Sequence, residues 1–203
     1  SLGAENVDSS GFSAAAESAG NTEKDGRHLT TLTGSAGAAF GEQTDLLSTA
    51  RFSYSRDSLD TNDLATQLPI DDPAYVSRER DLQARVEIKH RFASPFTISI
   101  AQSTNINRRV SDNPPASFGV AHGQYYFGNR YKTEVLADYT VNSHLKWIGL
   151  LEQERELGAF SEGNTDQAGL GQQIQSAALQ LQTDGAVGNS SWSNSTGVRW
   201  DQH

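Results

Sequence analysis

Charged residues recur in this sequence at alternate positions rather than in compact clusters. Arg85, Glu87 and Lys89 form one such series, and Lys132, Glu134 and Asp138 another. A carboxylate beside a cation can serve as a general acid or base. A spacing of two, however, puts every member of a series on one face of an extended strand. The pattern therefore reads as the lining of a hydrated lumen, not as an acid–base pair. The histidines (His28, His90, His122, His144 and His203) are scattered, with no two at ligand spacing. No G-x-S-x-G, H-E-x-x-H, P-loop or G-x-G-x-x-G sequence occurs, and Gly169-Leu170-Gly171 is too short to cradle a phosphate. The reading is of a protein that is not an enzyme. Carboxylates gather in the connection 57–72, which includes Asp71 and Asp72, and at the turn holding Glu23 and Asp25. Carboxylate oxygens are the ligands calcium prefers, so calcium is the cofactor these segments could hold; simple solvation is the plainer reading.

The composition narrows the classes further. Acidic residues outnumber basic ones, 25 to 16, giving a net charge of −9 over 203 residues. No basic stripe exists to neutralise phosphates, so nucleic acid is not an expected partner. Cysteine is absent, which excludes disulfides and thiolate metal sites. The chain opens Ser1-Leu2-Gly3 with no charged start and apolar run ahead of it, and reads as a mature, trimmed or partial chain. No run approaches the 18 apolar residues of a membrane helix.

What must position these residues is a set of strands. In Leu82–Phe92 the even positions are Leu82, Ala84, Val86, Ile88, His90 and Phe92, and the odd ones Gln83, Arg85, Glu87, Lys89 and Arg91. One apolar face and one charged face at period two is a strand between two environments. Phe96, Ile98 and Ile100 resume the pattern after a turn at Pro95. Tyr131, Thr133, Val135, Ala137 and Tyr139 form the next apolar parity, followed past Asn142–His144 by Leu145, Trp147, Gly149 and Leu151. Ile148 and Leu150 break that alternation. Leu32, Gly34, Ala36, Ala38 and Phe40 precede a turn, and Ala50, Phe52 and Tyr54 follow it. Weaker strands are expected around Gly11–Ser18, Ser176–Thr183 and Ser191–Asp201, for about nine antiparallel strands in all.

The connections alternate in length. Gly41–Asp45, Ala93–Pro95, Val141–His144 and roughly Asp184–Ser190 are short, whereas about 57–80, 103–123 and 157–169 are long. Short joints on one side and long ones on the other are the pattern of a transmembrane β-barrel. Phe40, Phe92, Phe96, Tyr139, Trp147 and Trp192 lie near short turns. Phe52, Tyr54, Tyr125, Tyr126, Phe127 and Tyr131 lie toward the long connections, so the two groups form two bands. The expected fold is all-β: an antiparallel up-and-down meander forming a section of a transmembrane barrel. The long loops would form its ligand-facing mouth, with Tyr125, Tyr126, Asp71 and Asp72 as candidate contacts for a small molecule.

Several stretches resemble TonB-dependent outer-membrane receptors. They are Thr22–Asp25 with Gly26, Thr31-Leu32, Gly34, Phe40, Ala50-Arg51, Tyr54 and Asp60, then YKTEVLADYTVNSHLKWIGLLEQERE and the closing STGVRWDQH. The likeness is greatest to the cobalamin-transporter subgroup and is one of pattern along nearly the whole chain. It implies a 22-stranded barrel in the bacterial outer membrane, active uptake of a scarce ligand such as cobalamin or a siderophore, and energy delivered by TonB through an N-terminal plug. It also implies contact with outer-membrane lipid and lipopolysaccharide, and a calcium role for the acidic pair matching Glu23 and Asp25. Residues 1–203 would then be a partial barrel domain, with the plug and remaining strands outside it. Alone, such a section would expose two unpaired edges and an apolar face and would aggregate without detergent. Two other readings are a soluble lipocalin- or streptavidin-like ligand-binding barrel and a passive porin wall.

Overall fold

A computed structural model describes residues 1–11, 24–62, 66, 68–72, 74–93, 95–113, 122–162, 165–166, 169–188 and 190–203. Among these the regular structure is all β, with no helix. The strands are β1 (Leu2–Ser9), β2 (Arg27–Phe40), β3 (Thr44–Ser58), β4 (Thr61–Asn62), β5 (Pro69–Ile70), β6 (Val76–Arg91), β7 (Phe96–Asn113), β8 (His122–Asn142), β9 (Leu145–Glu162), β10 (Thr165–Asp166), β11 (Leu170–Val187) and β12 (Ser190–Gln202). β4 and β5 pair with each other, and β10 pairs with the end of β9. The other nine form one antiparallel meander in the order β1-β2-β3-β6-β7-β8-β9-β11-β12. Among the described residues the sheet ends at β1 on one side and β12 on the other.

The short joints fall where the sequence puts them, and every one lies on the same side of the sheet. At the first, Gly41 has φ +67°, a left-handed conformation that glycine adopts without the steric cost of a Cβ. The long strands overrun their expected ends. β7 continues to Asn113 and β9 to Glu162, inside segments expected to be loops. Residues such as Arg109, Ser111 and Gln124 alternate nothing in hydropathy, so period two is silent there although the backbone ladder continues. The first strand is a correction. It runs Leu2–Ser9, ahead of the expected Gly11–Ser18. Gly11 lies outside any strand, at φ +61° and packed so closely on the Asp25 carbonyl that no Cβ would fit; 12–18 lie outside the described residues.

Register sorts the side chains into two faces. On one, the ladder Leu32–Phe52–Leu82–Ile106 and the ladder Ile88–Ile100–Val135–Leu151 are both apolar. Ile88, Ile100 and Leu151 are each half exposed or more. The opposite face carries most of the charges, yet it holds most of the buried strand positions: Thr31, Ser55, Ser77, Ala101, Ser111, Glu154 and Ser176 are all under 9 % exposed, with Val76 the exception on the apolar side. A soluble sheet buries its apolar side. Here the sheet curves toward its polar side and leaves the apolar side open. Ile148 and Leu150, which break the sequence alternation, lie on the polar face opposite Asp138 and Leu136.

The strands are staggered. The ladder through Phe40, Thr44, His90, Ile98, Ala137, Gly149, Leu179 and Val198 starts at the last residue of β2 but crosses β12 well inside it. The step from Ser190 to Val198 over those pairings, at ~3.3 Å per residue and ~4.8 Å between strands, is a tilt of about 40°. Barrel walls have strands tilted by that amount.

Candidate functional site

The concave face is crossed by a continuous band of ionic groups. It starts on β6, where Arg85 binds Glu87 at 3.1 Å, and passes over β7 to Glu134 of β8. Lys132 lies 3.3 Å from Glu134 and 2.7 Å from Glu152 of β9. Arg199 of β12 then reaches over β11 to Glu152 at 3.3 Å, and holds Asp201 at 2.8 Å. Ser176 of β11 donates to Asp201 at 2.5 Å. A second row joins Arg130 to Glu154 at 2.7 Å and to Glu156 at 3.5 Å. Twice the band spans a whole strand, and each time the strand beneath offers small residues: Ala101 and Ser103 on β7, Ser176 and Ala178 on β11. Small residues on the strand beneath leave room for such a crossing, and convergence on the inside of a curve shortens its reach.

Arg130 and Arg199 are half exposed, whereas Glu152 and Glu154 are nearly buried. The well-solvated pairs therefore contribute little stability, about 0–1 kcal/mol each, and the buried carboxylates depend on their partners. The effect of the band is to line the concavity with donors and acceptors that water can satisfy. A hollow of about 590 Å³ opens beside the band, lined by Arg51, Gln83, Arg85, Asn105, Arg130 and Lys132 among others.

Toward the long-connection edge the lining changes. Tyr126 of β8 and Phe160 of β9 are directly opposed, and below them Gly128 opposes Gly158. Both rings point into the concavity, whereas every other aromatic side chain of the described strands is on the convex parity. Tyr126 lies back along its own strand, its hydroxyl 3.1 Å from where a Cβ on Gly128 would be. Its ring separates two hollows. One, of about 560 Å³, holds Asn105, Asn107, Arg130, Glu156 and Gln172; the other, of about 440 Å³, holds Glu79, Asn107, Arg109, Gln124 and Phe160. Both volumes fall in the ~300–1,000 Å³ range of small-molecule sites. Part of their polar lining is paired within the wall. Asn107 donates to Glu79 at 2.6 Å, Gln172 to Glu156 at 2.5 Å and Arg109 to Ser77 at 3.1 Å.

No family model, curated protein or solved structure matches this chain.

The residues expected from sequence to contact a ligand divide. Tyr125 and Tyr126 belong to strand β8 rather than to a loop, and adjacency puts them on opposite faces: Tyr126 inward, Tyr125 outward. Asp72 is buried, with a structural engagement of its own. Its carboxylate accepts from Asn113 Nδ2 at 2.9 Å and from the Ala74 amide at 3.2 Å, tying the connection after β3 to the end of β7. Asp71 beside it is half-buried and also engaged. Glu23 lies outside the described residues. Asp25 sits two residues ahead of β2, its carbonyl against Gly11. Among the described residues no group of three or more His, Asp or Glu converges as a metal site. Phe160 was not anticipated. Its neighbours Gly158 and Ser161 mask the strand, and only the partner strand discloses that it faces Tyr126.

Proposed function

We propose that the chain forms part of the wall of a transmembrane β-barrel in a bacterial outer membrane, and that the barrel takes up a scarce ligand in the manner of a TonB-dependent receptor. The observation that carries the membrane half is the inverted burial: charged side chains on the concave face, bare apolar ones on the convex. Among the described residues no helix is long and apolar enough to cross a bilayer, a fact that leaves strand-crossing untouched. From Phe96 to Ile106 the convex face of β7 spans ten residue steps, and a strand of that length tilted by ~40° rises about 25 Å, the height of an outer-membrane apolar belt. Phe96, Tyr139 and Trp147 are consecutive on one ladder at its lower edge; Tyr54 and Phe127 lie on the ladder above its upper edge. Aromatic residues favour both interfaces.

Uptake rests on the sequence resemblance and on the wall's lining. The ligand, cobalamin or siderophore-like, would meet the long connections and the Tyr126–Phe160 ledge before passing the ionic band. A plug contributed by another part of the protein would gate that route and couple it to TonB. Calcium at Glu23 and Asp25 belongs to the same reading. A lipocalin-like barrel would need its apolar face inside, and the ion pairs that span β7 and β11 lie on the other face.

The test is reconstitution of the full protein into lipid vesicles, scored by protease protection and by resistance of the folded form to detergent at room temperature. Uptake of cobalamin and of ferric siderophores by cells carrying it is then measured with and without an uncoupler. Uncoupler-sensitive uptake supports the proposal. Insertion with insensitive uptake makes it a passive pore, and a water-soluble monomer that ignores vesicles ends the membrane reading.

A further inference from the structure

The convex face is not uniformly apolar. Next to the long-connection edge, above Phe52, Leu82 and Ile106, stand four arginines in two ladders. The lower ladder reads Tyr54–Arg80–Arg108–Phe127 and the upper Arg56–Arg78–Val110–Tyr125. Arg80 and Arg108 are thus directly opposed, as are Arg56 and Arg78. Like charges in that relation destabilise a sheet. All four side chains are exposed. Arg108 lies 5.3 Å above the Phe127 ring, and none of the four forms an ion pair with a carboxylate of the described residues.

This is not a shortage of acids in a chain of net charge −9. Arg56-Asp57 and Arg78-Glu79-Arg80-Asp81 alternate sign, so period two sends the carboxylates to the concave face and the guanidinium groups outward. There Glu79 accepts from Asn107, and Asp57 binds Arg27 at 3.3 Å. The outward acids of this region are few. Asp8 is held by His28 at 2.5 Å, and Asp112 stands beside Val76. Among the described strands, no Lys or Arg faces outward in the half nearest the short turns. The basic patch is confined to one edge of the apolar belt.

We infer that Arg56, Arg78, Arg80 and Arg108 form a binding site for the phosphates of a lipid head group in the leaflet at the long-connection edge. The inference rests on the membrane reading and names a partner for that surface. A guanidinium fork matches a phosphate in geometry as well as charge. The height is also right: two to four residue steps above Ile106 puts the forks at the head-group level, with their stems on the apolar belt. A phosphate between each opposed pair turns a repulsive arrangement into an attractive one. In an outer membrane the lipid of that leaflet is a phosphorylated glycolipid, the lipid A type.

The test uses the full chain folded in detergent micelles, titrated with diphosphorylated lipid A and with the same lipid after phosphatase treatment. Loss of the phosphates, or the triple variant Arg78→Gln, Arg80→Gln, Arg108→Gln, weakens binding about tenfold or more, as expected for charge-assisted bonds. The matching Arg→Lys triple keeps part of the affinity. Millimolar inorganic phosphate displaces the lipid no better than chloride of equal ionic strength. Equal binding of the two lipids overturns the site, and displacement by phosphate alone reduces it to a general anion site and overturns the lipid assignment. If the glutamine triple fails to fold, the lipid comparison on the unaltered chain decides. Vesicle insertion is scored in parallel: insertion without phosphate preference sinks this inference only, whereas failure to insert sinks the membrane reading.

Discussion

Arg85 and Glu134 are joined across an intervening strand, Arg85 on β6 reaching over β7 to Glu134 on β8. The crossing passes over Ala101, which is only 2 % exposed beneath it, and Arg85 also donates to Ser103 at 3.2 Å. A small residue on the middle strand leaves room for it, and an inward curve shortens its reach. Ala101→Phe should therefore open the bridge and cost about 1–3 kcal/mol, the usual penalty of overpacking a filled position. Urea unfolding of the vesicle-inserted chain reads this directly. An unchanged midpoint would mean that the sheet is flatter than described.

The two faces should answer oppositely to the same substitution. Ile100→Arg puts a cation on the convex face at mid-belt and should cost about 2–4 kcal/mol in lipid, whereas Asn105→Arg on the concave face should cost close to nothing. A soluble barrel with its apolar face inside would keep the first penalty in water, with no lipid present. Comparing unfolding midpoints in vesicles and in lipid-free buffer distinguishes the two.

Glu154 is 4 % exposed and Arg130 is the cation on it. Removing Arg130 strands a carboxylate in a place water barely reaches. Arg130→Gln should destabilise by about 1–3 kcal/mol, and adding Glu154→Gln should recover most of that loss. A double variant worse than the single would show that the carboxylate has another partner.

Tyr126 and Tyr125 are neighbours in sequence and point to opposite sides of the wall. Under the proposed uptake function, Tyr126→Ala should weaken ligand binding about tenfold by removing one aromatic contact surface. Tyr125→Ala should leave it nearly unchanged. Equilibrium binding of cobalamin and ferric siderophores to the reconstituted protein is the measurement, and equal losses would place the contact outside the concavity.

Asp72 ties its connection to Asn113. Asp72→Ala leaves the Asn113 amide unpaired and should cost about 1–3 kcal/mol locally. Cleavage within 59–75 by a protease added outside vesicles should then accelerate, with the strands still protected. Unchanged cleavage would mean that the loop is held elsewhere.

Much of this architecture was legible in the residues. The alternation in Leu82–Phe92, the turn at Gly41 and the short joints at Pro95 and Asn142 locate the meander because period two and turn chemistry are local properties. Strand ends were not legible. Beyond the apolar belt neither face has to be apolar, so β7 and β9 run on through polar residues that read as loop. The first strand was misplaced for the same reason, Leu2–Ser9 being exposed at the sheet edge and carrying little apolar pattern.

Sequence alone determined that the middle stretches of these strands, such as Leu82–Phe92, have one charged face and one apolar face, since residues that alternate along a strand point to opposite sides. Which face lies inside is a property of curvature, and curvature exists only once many strands pair in a staggered register. The same pairing brings Tyr126 opposite Phe160, Arg80 opposite Arg108 and Arg85 within reach of Glu134. Each of those meetings joins residues far apart in the chain, so only the register of the folded sheet could decide them.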